Sequence, residues 1–198
     1  MKKTLLVLAT TLISSFAFAD AKIGSPAPEF SVTDAQGKPQ NLKDYKGKYV
    51  ILEWYNKDCP YVRKHYDSGN MQKIQSELTG KGAVWLTVVS SAKGKQGYMT
   101  PGETITNGTK EGSKASAILI DESGTMGKAY GAKTTPHMYL IDPQGTLRYA
   151  GAIDSDDSSD KKTIATAQNY ILAATNSAMK GEKIAKETSK PYGCSVKY

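Results

Sequence analysis

The sequence predicts a single α/β domain, residues 20–180, with a central mixed β-sheet flanked by helices. Three observations support it: apolar runs of strand-forming residues alternate with helical segments, one strand–helix–strand unit has the short turns of a parallel crossover, and two later strands flank a hairpin signal. The 198 residues suffice for one domain. Hydrophobic residues make up 39% and charged residues 23%, which argues against a disordered chain.

The first strands and helix are predicted from composition and periodicity. Residues 23–47 are rich in glycine and proline and indicate short, extended N-terminal strands. Residues 49–55 form a nearly continuous apolar run, which is typical of a strand buried on both faces. A helix is then predicted from Pro60 to about Leu78, because proline is tolerated in the first helical turn.

The second half of the domain continues the alternation. The predicted elements are a strand at 83–89, a polar, glycine-rich surface insertion at 92–114 with room for a short helix, a strand at 117–120, a short helix at 125–130, strands at 138–141 and 147–150 around the turn at 142–145, and a last helix at 162–179. A polar C-terminal tail, residues 181–198, follows and carries Cys194.

The first residues have the features of an export signal. Lys2 and Lys3 precede an apolar run from Leu5, and Ala17-Phe18-Ala19 supplies the small residues that a signal peptidase accepts. The alternative is a membrane anchor, but the run is shorter than the roughly 20 residues of a spanning helix. We expect residues 1–19 to be a signal peptide and the mature protein, with no membrane span, to be periplasmic or secreted. Cleavage would remove two lysines and no acid, which lowers the formal net charge from +7 to +5.

Cys59 is the strongest candidate for a reactive group. It lies between the end of a buried strand and the first turn of a helix, where free backbone N–H groups and the helix dipole stabilise a thiolate. Arg63 and Lys64 add positive charge nearby, and Asp58 opposes it. An inert buried cysteine is the alternative, but it fits poorly with the hydrophilic turn just before Cys59. We therefore predict Cys59 to be a nucleophile.

Residues 53–62, with Thr134-Thr135-Pro136 downstream, resemble the thioredoxin superfamily. More narrowly, they are similar to its exported redoxin and peroxiredoxin-like branch, the alkyl hydroperoxide reductase and thiol-specific antioxidant group. The resemblance covers about residues 23–175 and implies a thioredoxin-like fold with thiol-dependent oxidoreductase activity. It also implies a cis Thr135–Pro136 bond that faces Cys59, beside which a substrate chain pairs with free backbone groups. A tight turn alone is the alternative role of the proline.

Two departures from that resemblance bear on the reaction. Thioredoxin-like proteins usually carry Cys-x-x-Cys, but Val62 stands at the second position, so Cys59 has no neighbouring resolving thiol. Peroxiredoxins usually carry Pro-x-x-x-Thr/Ser-x-x-Cys, whereas Leu52 and Asn56 occupy the first two places here. These departures count against peroxide reduction without excluding it, and Asn56 could still donate a hydrogen bond to a substrate.

Glu53 is an acid in the middle of an apolar strand, six residues before Cys59. Thioredoxins carry a buried acid at the same spacing, which implies a role in proton transfer during thiol exchange. Burial would raise its pKa and suit it to acid/base work. The alternative is a glutamate that reaches solvent or a structural partner.

Cys194, preceded by a glycine in a flexible tail, is the candidate resolving thiol. In the predicted cycle Cys59 is oxidised, Cys194 captures it as a disulfide, and an external, thioredoxin-like dithiol donor reduces the bridge. The alternative is a permanent Cys59–Cys194 bridge, which would stabilise the fold by roughly 5 kcal/mol in the chain-entropy model. A reduction potential well below about −300 mV would favour that structural bridge.

The remaining candidates are the two histidines and one arginine. His137 follows Pro136 and is predicted to face Cys59, although strand alternation could aim it away; His65 is expected to be a surface or packing residue. Arg63 could stabilise the thiolate or be solvated. A Cys59–His137 metal site lacks a recognisable ligand spacing, so we predict no metal and no cofactor.

Three functional classes remain open at this point. The first, which we favour, is an exported thiol-dependent oxidoreductase that acts on protein or small-molecule disulfides or on peroxides. The second is a non-catalytic binding module that uses the Pro136 face and a locked disulfide, and the third is a metal or redox carrier. A nucleic-acid partner is disfavoured because 19 acids are interspersed among the 26 basic residues without a basic block beyond the N-terminus.

Overall fold

The structure is a computed structural model that describes residues 21–198. The predicted signal peptide, residues 1–19, lies outside the described residues. Within residues 21–198, no helix has the length and apolar character needed to cross a membrane.

Nine strands and five α-helices are assigned in the described residues. The strands are β1 (Ser31–Asp34), β2 (Pro39–Asn41), β3 (Val50–Trp54), β4 (Val84–Val89), β5 (Ala117–Ile120), β6 (Thr134–Thr135), β7 (His137–Ile141), β8 (Leu147–Gly151) and β9 (Cys194–Ser195). The helices are α1 (Pro60–Asp67), α2 (Asn70–Gly80), α3 (Pro101–Lys110), α4 (Thr125–Tyr130) and α5 (Tyr170–Met179), with 3₁₀ turns at Leu42–Tyr45 and Lys161–Ala165.

Seven of the strands form one mixed sheet in the order β2-β1-β5-β4-β3-β7-β8. The central strand β3 runs parallel to β4 and antiparallel to β7, and β4 runs parallel to β5. The predicted crossover and hairpin therefore both exist, and the α/β class with a mixed sheet is confirmed. Strands β3 and β4 are buried along their whole length, as their apolar runs predict.

The sheet separates two apolar clusters, one on each face. One contains Ile51 of β3 and Tyr55, which directly follows it, with side chains of α1, α2 and α5. The other contains Leu52 and Trp54 of β3 with side chains of α4. Cys59 belongs to the first cluster, so the odd-numbered residues of β3, which include Glu53, face the same layer as Cys59.

Two helix predictions need correction. The helix predicted at 60–78 is two helices, because Gly69 adopts a left-handed φ of 76° and starts α2 afresh. The helix predicted at 162–179 begins only at Tyr170, where the Asn169 side chain caps the amide of Leu172 at 2.9 Å. The residues just before it bond instead to the backbone at 153–155, which draws the chain out of helical geometry.

The C-terminal tail lies against the domain rather than extending from it. Its strand β9 pairs antiparallel with β6 to form a separate two-stranded sheet. The tail is expected from the sequence to be flexible; in the structure its last residues are docked by backbone pairing beside the Thr135–Pro136 segment.

Candidate functional site

The site is built around the turn that joins β3 to α1. Asn56 is buried; its side-chain oxygen accepts from the amide of Asp58 at 2.9 Å and its carbonyl accepts from the amide of Cys59 at 3.1 Å. This turn sets Cys59 at the N-cap of α1, and Pro60 follows at the first helical position. The free amides of the first turn therefore lie beside the Cys59 side chain.

The Cys59 thiol faces the segment that carries the downstream proline. Its Sγ donates to the carbonyl of Thr135 at 3.0 Å, and the Thr135–Pro136 peptide bond is cis, as the family resemblance implies. Cys59 and Thr135 are 0% and 2% exposed. The nucleophile predicted from the sequence is thus enclosed in the structure.

Cys194 lies opposite the same segment. In the β6–β9 pairing, Thr135 is the register partner of Cys194, and both cysteines are free thiols. Cys194 is partly exposed and packs against the apolar cluster that contains Cys59. Residues separated by 135 positions in the sequence are therefore brought together by two short strands.

The two thiols have opposite acid–base shifts. Burial disfavours the thiolate of Cys59, but hydrogen bonds from the side chains of Cys194 and Thr135 and from backbone amides outweigh it and lower the pKa of Cys59. Burial, together with the hydrogen bond to Cys59 and its negative charge, raises the pKa of Cys194 to about 11. The Thr135 carbonyl can accept only from the protonated Cys59 thiol. The Cys59 thiolate is therefore stabilised by the hydrogen bonds from Cys194, from the Thr135 side chain and from backbone amides. Cys59 therefore ionises first, with Cys194 still protonated beside it.

Glu53 is fully buried and surrounded by donors. Its carboxylate accepts from Trp85 at 2.8 Å, Tyr66 at 2.9 Å, Thr87 at 3.1 Å and Gln75 at 3.2 Å. Burial raises its pKa to about 7 although these hydrogen bonds oppose the rise. No described hydrogen bond joins Glu53 to Cys59. The connection between them is Tyr66 of α1, the helix that Cys59 begins.

His137 and Arg63 are placed differently from the sequence prediction. His137 stacks on Tyr139, with ring centroids 4.5 Å apart, and Tyr139 belongs to the cluster on the sheet face opposite Cys59. Alternation along β7 therefore aims His137 away from the thiol. The guanidinium of Arg63 is engaged by Asp67 and Glu111, not by Cys59.

The side chain of Asn56 also makes hydrogen bonds within the protein. Its amide donates to the carbonyl of Gln96 at 3.3 Å, and its other end shapes the turn before Cys59. It therefore helps to build the turn that positions Cys59. Of the candidate substrate-binding residues, the structure brings Thr135 and Pro136 to Cys59 and leaves Asn56, Arg63 and His137 in other contacts.

A buried polar cluster that the sequence patterns did not predict connects α1 to the tail. Lys64 donates to the carbonyl of Asp156 at 2.9 Å and lies 3.8 Å from the carboxylate of Asp154. Asp154 in turn accepts from the hydroxyl of Tyr192, whose oxygen is 3.4 Å from Nε2 of His65. His65 is thus buried and packed, in line with the expectation that it is a surface or packing residue. The signal available in the sequence was Tyr192, an aromatic residue two positions before Cys194.

No group of three or more His, Cys, Asp or Glu side chains placed to hold a metal ion is found among residues 21–198. The groups that the structure places around Cys59 are a second thiol and the backbone of the Thr135–Pro136 segment, and the buried carboxyl group of Glu53 lies on the same face of the sheet.

The sequence is similar to those of known proteins. The sequence profile of the AhpC/TSA family matches residues 23–150. A thiol-disulfide oxidoreductase, ResA from Bacillus thuringiensis, is 30% identical over 129 residues, which cover 64% of this chain and 67% of ResA. Peroxiredoxin-1 of Gallus gallus is 30% identical over 143 residues, which cover 65% of this chain and 68% of that protein.

The fold has solved counterparts. The crystal structure of a hypothetical protein from Sinorhizobium meliloti aligns with a TM-score of 0.74 at 21% identity, covering 91% of this chain and 96% of that chain. At this identity the likeness shows the fold alone, and the fold is thioredoxin-like.

Proposed function

The chain belongs to the AhpC/TSA family, and from that premise we propose that it is a thiol-disulfide oxidoreductase with Cys59 as nucleophile and Cys194 as resolving thiol. One observation carries the proposal: β9 sets Cys194 opposite Thr135, whose carbonyl accepts from Cys59. Two free thiols with opposite pKa shifts that meet at the same Thr135 segment suit disulfide exchange, in which one sulfur attacks and the other follows.

The reductive direction runs in two exchanges. The Cys59 thiolate attacks one sulfur of a substrate disulfide, forms a mixed disulfide and releases the other substrate sulfur, which takes up a proton. Cys194 then loses its proton and attacks the Cys59 sulfur, which forms the Cys59–Cys194 bridge and releases the second substrate thiol. An external dithiol returns two electrons to the bridge and is itself oxidised to a disulfide.

Glu53 is proposed as a positioning residue in this cycle. It holds Tyr66, and through it the start of α1, on the face of the sheet that carries Cys59. With a pKa of about 7 it also supplies a group that changes charge near neutral pH on that face. If Glu53 acts on the exchange, Glu53→Gln will remove a step near pH 7 from the pH–rate profile. An unchanged profile would reduce its role to packing.

We place the protein in an oxidising compartment outside the cytoplasm. The support is the sequence of residues 1–19, with its positive start, apolar run and Ala17-Phe18-Ala19 ending. A fusion of residues 1–19 to a reporter enzyme that is active only after export tests the assignment.

The proposed activity is tested by the reduction of insulin disulfides with dithiothreitol as the donor, and by mapping the cysteines. Trypsin separates them into the peptides 58–63 and 187–197, since the bond between Lys190 and Pro191 resists cleavage. We expect the reduced protein to yield a bridge between these peptides when it is mixed with a disulfide substrate, and free thiols after dithiothreitol.

Three outcomes separate the alternatives. A bridge that is present from the start and resists dithiothreitol would replace the proposal with a binding module held by a structural disulfide. Faster bridge formation with hydrogen peroxide than with insulin would make the protein a peroxidase, in line with its similarity to peroxiredoxin-1 of Gallus gallus. Failure to form a bridge with either oxidant would remove Cys194 from the cycle.

A further inference from the structure

The residues Tyr192–Tyr198, which we call the strap, cover Cys59. Besides the β6–β9 pair, the amide of Val196 donates to the carbonyl of Lys133 at 3.1 Å, and the carbonyl of Lys197 accepts from the amide of Ala92 at 2.8 Å. Cys59 has no exposed surface beneath them. The strap therefore occupies the edge of the Thr135–Pro136 segment that a substrate chain would need.

Tyr198 fastens one end of the strap. Its ring lies against Gly124 and Gly127, and a Cβ atom at either position would overlap it. Its hydroxyl donates to the carbonyl of Ala132 at 2.8 Å, and the ammonium of Lys128 lies 5.5 Å from the ring centroid. Glycine inside a helix such as α4 costs about 1 kcal/mol relative to alanine, so Gly127 works against local helix preference. In return it leaves the space that the ring fills.

Tyr192 fastens the other end more deeply. Its hydroxyl donates to the buried Asp154, and its ring lies 5.6 Å from the ammonium of Lys64 and 5.9 Å from the ring of Tyr61. Between the fastened ends, Gly193 passes so close to Thr135 that a Cβ atom would overlap the Thr135 carbonyl. The main chain of the strap is thus pressed onto the backbone beside Cys59.

The two fastenings differ in how easily they open. Tyr192 is joined to a network that includes the fully buried side chains of Lys64 and His65. Tyr198 is 37% exposed, and Ser195 before it is exposed as well. Local opening starts where buried contacts are fewest, which is the Tyr198 end.

We propose that Tyr198 is the latch of the strap: while its ring lies against Gly124 and Gly127, Cys194 is held beside Cys59 and substrates are shut out, and a substrate reaches Cys59 only after this end has lifted. Tyr198 is then a positioning residue for the thiol pair, acting at a distance through the β9 strand. The inference rests on the proposed function in one respect, that Cys59 is the group that substrates must reach.

The sharpest test is Gly127→Ala, which leaves both cysteines and every residue of the strap unchanged. The added methyl group favours the helix but takes the space of the Tyr198 ring. We expect the rate of Cys59 alkylation by iodoacetamide, followed on the peptide 58–63, to rise about tenfold or more. The reason is that the strap opens more often once the contacts of the Tyr198 ring are lost. Gly102→Ala is the matched control, because it is also helical and a Cβ atom there meets nothing within 4 Å.

Two variants at Tyr198 guard against an effect on folding alone. Tyr198→Ala should raise Cys59 alkylation as Gly127→Ala does, whereas Tyr198→Phe, which keeps the ring, should stay within about threefold of the unmodified protein. In the opened variants Cys194 no longer supports the thiolate, so the midpoint of Cys59 alkylation against pH should also move upward. A purely structural weakening would not move that midpoint.

The proposal is overturned if Gly127→Ala and Tyr198→Ala both leave the alkylation rate of Cys59 unchanged, or if Tyr198→Phe behaves like Tyr198→Ala with no shift of the midpoint. These readouts need no substrate. Failure of the unmodified protein to reduce insulin would count against the proposed function and leave the latch result standing.

Discussion

The two cysteines lie in regions that are built in opposite ways. Cys59 is held by the end of β3, the start of α1 and the Thr135 carbonyl, and it is entirely buried. Cys194 lies on a two-residue strand at the edge of the molecule, and it is partly exposed. The same hydrogen-bonded contact lowers the pKa of the first thiol and raises that of the second to about 11.

One contact therefore acts on the two thiols in opposite directions. The buried cysteine receives donors from several elements and is the better thiolate, while the other keeps its proton and, in the proposed cycle, moves away with the strap.

The two cysteines should differ in what their loss does to turnover. Cys59→Ser should lower the kcat/KM of insulin reduction by roughly 10³-fold or more, because the attacking sulfur is gone. Cys194→Ala should still attack and should accumulate a mixed disulfide on Cys59, detected by mass spectrometry of the peptide 58–63. A mixed disulfide on Cys194 in the Cys59→Ser variant, with activity retained, would reverse the assignment of roles.

The buried cluster between α1 and the strap should be a large stabilising feature. Lys64→Met leaves the buried Asp154 without its cation, and the free energy of unfolding should fall by about 3 kcal/mol in urea denaturation. Lys161→Met is the control, since the exposed Lys161 lies 3.7 Å from the partly exposed Asp67 and such a pair contributes little. Equal effects of the two substitutions would mean that the strap is not anchored through Lys64.

Glu53 should make the stability of the Cys59 face depend on pH. Its folded pKa, about 7, lies above its ordinary 4.5, so the folded chain binds this proton more tightly than the unfolded chain. The resulting stabilisation is complete below about pH 4.5 and is lost as the pH rises through 7, a change of about 3 kcal/mol. Glu53→Gln should remove that fall from unfolding free energies measured between pH 4.5 and 8. Glu77→Gln is the control. Lys81 lowers the pKa of Glu77 in a solvent-accessible salt bridge, so this variant should keep the fall in unfolding free energy between pH 4.5 and 8.

Arg63 should have the smallest effect, although its position near Cys59 in the sequence suggests otherwise. Because its guanidinium binds Asp67 and Glu111 rather than Cys59, Arg63→Gln should leave the pH midpoint of Cys59 alkylation unchanged. Cys194→Ala, by contrast, should raise that midpoint, since it removes a donor to the thiolate. A clear upward shift in Arg63→Gln would restore the arginine to the site.

Local sequence patterns predicted most of the sheet and the place of the nucleophile. Apolar runs gave β3, β4 and β5, and the turn before Pro60 set Cys59 at a helix start. The same reasoning failed for His137, because the face on which a strand residue lies depends on alternation within the folded sheet. The sequence also predicted α1 and α2 as one helix, because a single glycine within a periodic segment only weakly indicates a helix end.

The α/β class, one candidate nucleophile at a helix N-terminus and a second thiol in the tail were all predictable from the sequence, because each depends on residues adjacent in the chain. Folding alone brings Thr135 and Cys194 to Cys59 and docks the tail through Tyr192 and Tyr198. Those contacts join residues tens of positions apart, through close approaches that glycines at 127 and 193 permit. The pKa of each thiol follows from such contacts, so the division of roles is a property of the fold.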